Sequence, residues 1–359
     1  MQKSPLLFSP MKIRGLELKN RLGLSPMCQY SAENGMANDW HFAHYAARAA
    51  GGLGLEIVEA AAVSPEGRIS PQDLGIWDDS QIGGLARIAS FAKAQKCATA
   101  IQIAHAGRKA SCAADFLGGR PLEPQDGGWS PIAPSPLPFH PGHPVPREMD
   151  ASDIKKAVED FANAAGRAVE AGFDIVEIHA AHGYLIHEFL SPITNLRKDE
   201  YGGSFENRSR FAVEVARAVR AAIPDGMPLF ARISATDWVD GGWNITESAA
   251  LAVLLKNEGV DLIDVSSGGL VENAAIPVGC GYQVPFAHAI RRDARMPTAA
   301  VGLITEAAQA ETILSNAQAD IILLGRELLR NPSFAFQAAA RLGAEIEYPV
   351  QYARAKIRR

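Results

Sequence analysis

A chain of 359 residues can bury one large α/β core or two smaller ones. Its formal net charge of −5, with both signs interspersed, gives no electrostatic footprint for nucleic acid or an anionic membrane, so we expect small-molecule partners. The four cysteines are far apart and lack C-x-x-C spacing, which argues against a zinc ribbon, an iron–sulfur cluster and a disulfide framework.

Strands and helices are predicted to alternate along the chain. Residues 1–20 contain no apolar segment long enough for a signal peptide, and no later run approaches membrane-spanning length, so we expect a cytoplasmic protein. Strands are predicted at 21–28 (leading into a loop), 55–63, 98–105, 173–179, 227–233, 262–266, 296–301 and 319–324. Helices are predicted at 40–50, 82–96, 150–172, 205–222, 246–258, 285–294, 306–316 and 331–341.

This alternation predicts a parallel sheet, and eight such units predict a closed (β/α)8 barrel, the TIM barrel, as one domain over 1–359. An open doubly wound sheet is the alternative, but no G-x-G-x-x-G fingerprint marks a switch point. Residues 111–148, after the third strand, are rich in proline and glycine, so we expect an insertion that caps a site. A C-terminal tail is expected over 343–359.

The stretch that begins with the fourth strand ends in three polar rings within six residues, namely His179, His182 and Tyr184. The two histidines converge only if the chain turns after His179, and Gly183 would permit such a turn. The pair could bind a metal, although no third ligand is apparent, so we predict no metal site. It could also be structural. A third interpretation is a pair of imidazole donors that grip one substrate oxygen beside a tyrosine that donates a proton.

Other polar or small residues lie at the predicted strand ends. Gly302 follows the seventh strand and Gly325-Arg326 follow the eighth, which are the loops that commonly bind phosphate in this architecture. Arg232 lies in a buried strand and needs a carboxylate or an anionic ligand, and Gln102 could bond either a heteroaromatic edge or a structural partner. Together these features indicate a phosphorylated aromatic cofactor.

Five motifs taken together resemble the old yellow enzyme family. They are Ser25-Pro-Met-Cys28-Gln-Tyr30, Gln102-Ile-Ala-His-Ala-Gly-Arg108-Lys109, His179-Ala-Ala-His182-Gly-Tyr184, Asp199-Glu-Tyr-Gly-Gly-Ser-Phe-Glu-Asn-Arg208 and Gly325-Arg326. The Cys28 and Tyr30 pair, with His-x-x-His, is similar to the branch that contains xenobiotic reductases and thermophilic-type NADPH dehydrogenases.

The resemblance implies an ene-reductase in which NADPH reduces bound FMN and an activated alkene is then reduced. It implies that His179 and His182 hold the carbonyl or nitro oxygen, that Tyr184 donates the proton, and that Tyr30 and Lys109 contact the substrate. It implies that FMN is bound by Ser25, Pro26, Cys28, Ala60, Gln102, Arg232, Gly302, Gly325 and Arg326. The alternatives are an FMN oxidoreductase that acts mainly on quinones or nitro compounds, and a flavin-based redox sensor.

The C-terminal tail gives a further expectation. In the branch that this sequence resembles, the tail of one subunit inserts an arginine into its neighbour's site. Arg354 or Arg358 could take that role here, and the alternative is a basic, partly frayed tail. We therefore expect a homodimer or homotetramer.

Overall fold

The computed structural model describes residues 5–357 and contains a closed barrel of eight parallel strands. The strands are β3 (Leu22–Leu24), β4 (Leu55–Ala62), β5 (Ala98–Ala104), β8 (Ile175–Ala180), β9 (Leu229–Ser234), β10 (Leu262–Ser266), β11 (Thr298–Ala300) and β12 (Ile321–Leu324). They follow one another around the barrel in this order, and β12 pairs with β3 to close it. The predicted TIM barrel is confirmed, and the alternative of an open sheet is wrong.

Helices cover the outside of the barrel. They are α1 (Asp39–Ala50), α2 (Ile82–Ala94), α3 (Ala151–Glu170), α4 (Leu185–Leu190), α5 (Phe205–Ala222), α6 (Ile245–Asn257), α7 (Val284–Ala294), α8 (Ala307–Ser315), α9 (Arg326–Arg330) and α10 (Phe334–Leu342). Side-chain caps define several starts: Asn38, Asp150 and Asn244 each accept hydrogen bonds from the first helical N–H groups. Within residues 5–357, no helix is both long enough and apolar enough to cross a membrane.

A short hairpin closes the N-terminal end of the barrel. It consists of β1 (Met11–Ile13) and β2 (Leu16–Leu18), which pair antiparallel. Ile13 and Leu18 pack into a cluster with the inward-facing apolar residues of the barrel strands. The barrel interior at this end is therefore filled with hydrocarbon, and the candidate polar site lies at the opposite, C-terminal ends of the strands.

The insertion over 111–148 lies against the loop that follows β5. It contains short 3-10 turns and a small parallel pair of strands, β6 (Ile132–Ala133) and β7 (Arg147–Glu148). The Arg68 guanidinium lies 5.4 Å from the Trp77 ring centroid and 4.9 Å from that of Trp129, and the Trp129 Nε1–H donates to the carbonyl of Glu66. These contacts attach the insertion to the barrel on the side where the strands end.

Candidate active site

The chain turns sharply after β8 and brings the three predicted rings together. His182 has φ 59° and Gly183 has φ 73°, so two consecutive residues are left-handed. The His179 ring centroid lies 5.1 Å from that of His182 and 5.0 Å from that of Tyr184. A Cβ at position 183 would collide with the carbonyl oxygen of Gly269, so the turn requires glycine for space as well as conformation.

Hydrogen bonds from neighbouring strand ends hold His182. Its backbone N–H donates to Ser234 Oγ at 2.9 Å, and its Nε2 lies 2.7 Å from Ser266 Oγ. Its carbonyl oxygen accepts a hydrogen bond from Lys109 Nζ at 3.1 Å. Burial and then the positive charge of Arg232 hold the pKa of both His179 and His182 well below the usual range. Both imidazoles are therefore neutral near pH 7.

Four buried polar side chains from adjacent strands lie in the barrel beside the histidines. Gln102 Nε2 donates to Glu177 Oε1 at 2.8 Å, and Arg232 Nε forms an ion pair with Asp264 Oδ2 at 3.0 Å. Asp264 is thus the carboxylate that the buried Arg232 was predicted to need. Burial, and next the charge of Asp264, raises the pKa of Glu177 to about 8. At neutral pH Glu177 is mainly protonated, so among these four side chains only the Arg232–Asp264 pair carries charge.

The predicted phosphate residues meet at one cavity of about 260 Å³. It is lined by Arg232, Ser266, Tyr282, Gln283, Val301, Gly302, Leu303, Ile304, Thr305, Leu323, Gly325, Arg326, Glu327 and Arg330. Gly302 has φ 124°, a conformation that an L side chain rarely adopts, and a Cβ there would approach Gln283 Nε2 to 2.9 Å, so this wall of the cavity requires glycine. The cavity combines arginine charge with exposed backbone at Gly302 and Gly325, which is the donor set that suits a phosphate ester.

The remaining predicted residues come from β3, β4 and the loop after β3. Ser25 N–H donates to the carbonyl of Leu324 at 3.0 Å, so Ser25 and Pro26 lie where β3 meets the end of β12. Ala60 shares a small cavity with Tyr184. Burial raises the pKa of the Cys28 thiol and of the Tyr30 hydroxyl well above their usual ranges, so both stay protonated.

Lys109 reaches the same turn from the end of β5. Its Nζ donates to the carbonyls of His182 and Gly269 at 3.1 Å each, and it lies 5.0 Å from the Tyr184 ring centroid. Burial lowers the pKa of Lys109 to about 8. Lys109 therefore links the turn after β8 to the loop that contains Gly269. The sequence did not predict this structural role.

Other residues of the site were also absent from the sequence prediction. Ser234, Ser266 and Gln283 contact His182 or one another, and Gln283 Nε2 donates to the carbonyl of Val301. Their position in the sequence could have identified two of them, because Ser234 and Ser266 are the last residues of β9 and β10. Polar residues at the carboxyl ends of barrel strands favour a functional role.

The tail residues are only partly described. Arg354 lies in the 3-10 segment Val350–Ala355 and lines a cavity beside α10, and within residues 5–357 it forms no ion pair. Arg358, the other candidate for insertion into a neighbouring subunit, lies outside the described residues. Within one chain, tail residues 343–357 are not brought to His179 and His182.

Known proteins resemble this chain over nearly its whole length. Residues 6–345 match the family model described as NADH:flavin oxidoreductase / NADH oxidase. The NADPH dehydrogenase of Geobacillus thermodenitrificans (strain NG80-2) is 52% identical over 351 residues, and that of Bacillus subtilis (strain 168) is 51% identical over 350. Both alignments cover 97% of this chain and 98% of the relative. Morphinone reductase in complex with tetrahydroNAD superposes with a TM-score of 0.77 at 29% identity, covering 96% of this chain and 93% of that one.

Proposed function

Because the chain belongs to the NADH:flavin oxidoreductase / NADH oxidase family and is an FMN-dependent NADPH dehydrogenase, we propose that it reduces activated alkenes. The resemblance that the five motifs indicated, to the old yellow enzymes, is confirmed together with the cofactor prediction. The substrates would be α,β-unsaturated carbonyl or nitro compounds. The observation that carries this proposal is the pair of neutral imidazoles, His179 and His182, at one end of the barrel beside Tyr184.

The two imidazoles have the donor capacity that a substrate oxygen requires. His179 Nδ1 is buried and makes no hydrogen bond within the described chain, so its proton is better placed on Nε2, where a ligand can accept it. Ser266 Oγ lies 2.7 Å from His182 Nε2 and 3.3 Å from Gln283 Oε1; when its hydroxyl donates to the closer imidazole nitrogen, the ring proton of His182 lies on Nδ1. Each histidine then offers one N–H to the oxygen, and the two donors stabilise the negative charge that grows on it during reduction.

Tyr184 is the proposed proton donor. Burial keeps its pKa well above the usual range, so the hydroxyl carries its proton throughout the working pH range. Its ring centroid lies 5.0 Å from that of His179, so the two side chains are neighbours. In this arrangement Tyr184 would protonate the α-carbon while the histidines hold the oxygen.

The residues around the barrel mouth fit FMN. Arg326, with the backbone at Gly302 and Gly325, would hold the phosphate, and Arg232 and Gln102 would contact the polar edge of the ring. The neighbouring small or apolar surfaces would come from Ser25, Pro26, Cys28 and Ala60. When bound in this way, FMN would supply the hydride chemistry that links NADPH oxidation to reduction of the alkene β-carbon. Tyr30 and Lys109 would contact the substrate.

An anaerobic absorption spectrum tests this function directly. The purified protein is measured alone, after NADPH, and after a further addition of cyclohexenone. We expect an oxidised flavin spectrum that bleaches with NADPH and recovers with the enone. Bleaching without recovery by cyclohexenone, but with recovery by a quinone, would replace the alkene by that acceptor. A protein that contains no flavin and cannot be reconstituted with FMN would contradict the assignment of the site.

We also propose that the chain forms a homodimer or homotetramer through its tail. Apolar residues of the tail are strongly exposed, with Val350 at 83%, Tyr352 at 49% and Ile357 at 47% of full exposure. A second subunit would bury them and would bring Arg354 or Arg358 toward its site. Light scattering of the full chain should give two or four subunits, and a monomeric mass at micromolar concentration would contradict the proposal.

A further inference from the structure

His187 lies on α4, three residues after Tyr184, and its imidazole touches the turn of the active site. The side chain is fully buried. Its Nδ1 accepts a hydrogen bond from the backbone N–H of Gly183 at 2.9 Å, and its Nε2 lies 2.9 Å from Asp237 Oδ1. Neither His187 nor Asp237 has a part in the chemistry proposed above, yet together they connect the loop after β9 to the turn that carries His182 and Tyr184.

The contacts of Asp237 determine the tautomer of His187. Asp237 Oδ2 accepts hydrogen bonds from Ser191 Oγ at 2.6 Å and from the Trp243 N–H at 2.7 Å. Burial alone would raise the pKa of Asp237, but the contacts with His187, Ser191 and Trp243 lower it below its ordinary value. An ionised carboxylate can only accept, so the His187 proton lies on Nε2 and Nδ1 is left as the acceptor for Gly183.

The peptide between His182 and Gly183 is therefore held at both ends. Its N–H is bound by His187, and its carbonyl oxygen accepts a hydrogen bond from Lys109 Nζ at 3.1 Å. This peptide joins two left-handed residues, and Gly183 tolerates φ of either sign. The Gly183 torsion therefore offers little resistance to rotation of this peptide, and the side chains on either side of it are the ones that must keep a fixed geometry.

We propose that His187 and Asp237 are positioning residues that fix the His182–Gly183 peptide and thereby place Tyr184 against His179 and His182. The catalytic consequence rests on the proposed function, whereas the consequence for the peptide does not. Asp237 holds the imidazole in one tautomer, the imidazole holds the Gly183 N–H, and the turn keeps its shape. A misplacement of about 1 Å at a reacting group can reduce a rate by about 100-fold.

Three substitutions separate the parts of this arrangement. His187→Leu removes both contacts. His187→Asn keeps an acceptor oxygen at the position of Nδ1 but does not reach Asp237. In Asp237→Asn the new NH2 group can face the Trp243 N–H, which sets two hydrogen-bond donors against each other. Alternatively it can face His187 Nε2, which moves the ring proton to Nδ1, where it opposes the Gly183 N–H.

The matched control is His44→Leu, which also removes a buried imidazole but from α1, away from the turn. All variants are prepared as the FMN-loaded full chain. Crystal structures report the 182–183 peptide, anaerobic stopped-flow mixing reports flavin reoxidation by cyclohexenone, and thermal unfolding reports stability. If His187 and Asp237 had a purely structural role, the substitutions would change thermal stability alone. The orientation of the 182–183 peptide, and whether a change falls on KM or on kcat, therefore distinguish a positioning role from a structural one.

We expect His187→Leu and Asp237→Asn to rotate the 182–183 peptide and to slow flavin reoxidation at saturating enone by about tenfold or more. His187→Asn should keep the peptide and remain within about threefold of the unsubstituted rate. His44→Leu should change neither. In a Tyr184→Phe background, His187→Leu should slow reoxidation by less than about twofold, because the group that it positions is already lost.

Two results would overturn the inference: an unrotated peptide in both His187→Leu and Asp237→Asn, or unchanged reoxidation in variants whose peptide has rotated. Failure of the proposed function gives a different result, because the unsubstituted protein would then not be reoxidised by cyclohexenone. In that case the crystal structures alone still decide whether His187 and Asp237 fix the peptide.

Discussion

His182 shows how a single residue depends on distant parts of the chain. Its backbone adopts the left-handed conformation, which is uncommon for residues other than glycine. For such a residue this conformation costs about 1–3 kcal/mol of conformational free energy. Contacts with Ser234 and Ser266, the last residues of β9 and β10, and with Lys109, which follows β5, hold it in place. The sequence indicated a turn at Gly183 but not the conformation of His182, because that conformation depends on residues far along the chain.

Tyr184→Phe tests the proton donor. We expect it to slow reduction of cyclohexenone by about 10- to 100-fold while flavin reduction by NADPH stays nearly unchanged, because only the alkene step needs a proton from the hydroxyl. The two half-reactions are followed separately by anaerobic stopped-flow absorbance. Tyr201→Phe is the control, since its hydroxyl donates to Glu214 on the outer face of α5. Equal slowing of both half-reactions would contradict the assignment.

His179→Ala tests whether the His179 imidazole donates a hydrogen bond to the substrate oxygen. Loss of one hydrogen-bond donor should weaken the binding of a phenolic ligand by about tenfold, because a hydrogen bond of this kind contributes about 1 kcal/mol or more. The alkene half-reaction should slow as well. Binding is measured from the change in flavin absorbance on titration with a phenol, and His44→Ala serves as the buried-histidine control. Unchanged affinity and rate would remove His179 from the site.

At the scale of elements, sequence periodicity predicted the long units and missed the short ones. All eight barrel strands and their main helices were expected, because apolar runs and capped amphipathic segments recur along the chain. The hairpin of β1 and β2 and the five- and six-residue helices α9 and α4 were not. Segments this short contain too few residues to show a period, and their conformation depends on the barrel ends that they cover.

The insertion over 111–148 is an element whose attachment can be tested. Arg68 lies between the Trp77 and Trp129 rings, so Arg68→Ala should loosen the insertion without unfolding the barrel. We expect chymotryptic cleavage after Phe116, which is 69% exposed, to become several-fold faster. Arg87→Ala is the matched control, because Arg87 also covers an aromatic ring, Phe42, but on the outer helices. Similar cleavage rates in all three proteins would show that Arg68 does not hold the insertion.

For the whole molecule, the sequence predicted the barrel and a set of candidate site residues, but not the contacts that join them. Gln102 and Arg232 were singled out because polar residues inside buried strands are unusual, and Gly302 and Gly325 because they follow the seventh and eighth strands. The links from His187 to Asp237 and from Lys109 to Gly269 were not, because each joins segments 50 to 160 residues apart in the sequence. Such pairs carry no local pattern and become visible only when the barrel closes.

The folded molecule also buries carboxyl groups that make its stability depend on pH. Glu59 is fully buried between β4 and α1, where its Oε2 accepts the Gln29 N–H at 2.7 Å and Tyr45 donates to Oε1 at 3.1 Å. Burial raises the pKa of Glu59 from its ordinary value of 4.5 to about 8. As the pH rises between these values, the unfolded chain loses the proton while the folded chain keeps it, so the free energy of unfolding falls.

Glu59→Gln should remove this dependence, because glutamine keeps an acceptor for the Gln29 N–H but does not ionise. Relative to the variant, the unsubstituted protein should lose stability by at most about 1.4 kcal/mol per pH unit between pH 5 and 8, with no further loss above pH 8. Urea unfolding with saturating FMN at a series of pH values measures this difference. Glu17→Gln, at an exposed position of the hairpin, is the control and should show a constant offset. A constant offset for Glu59→Gln as well would mean that Glu59 is ionised in the folded protein at neutral pH, and that its hydrogen bonds outweigh its burial.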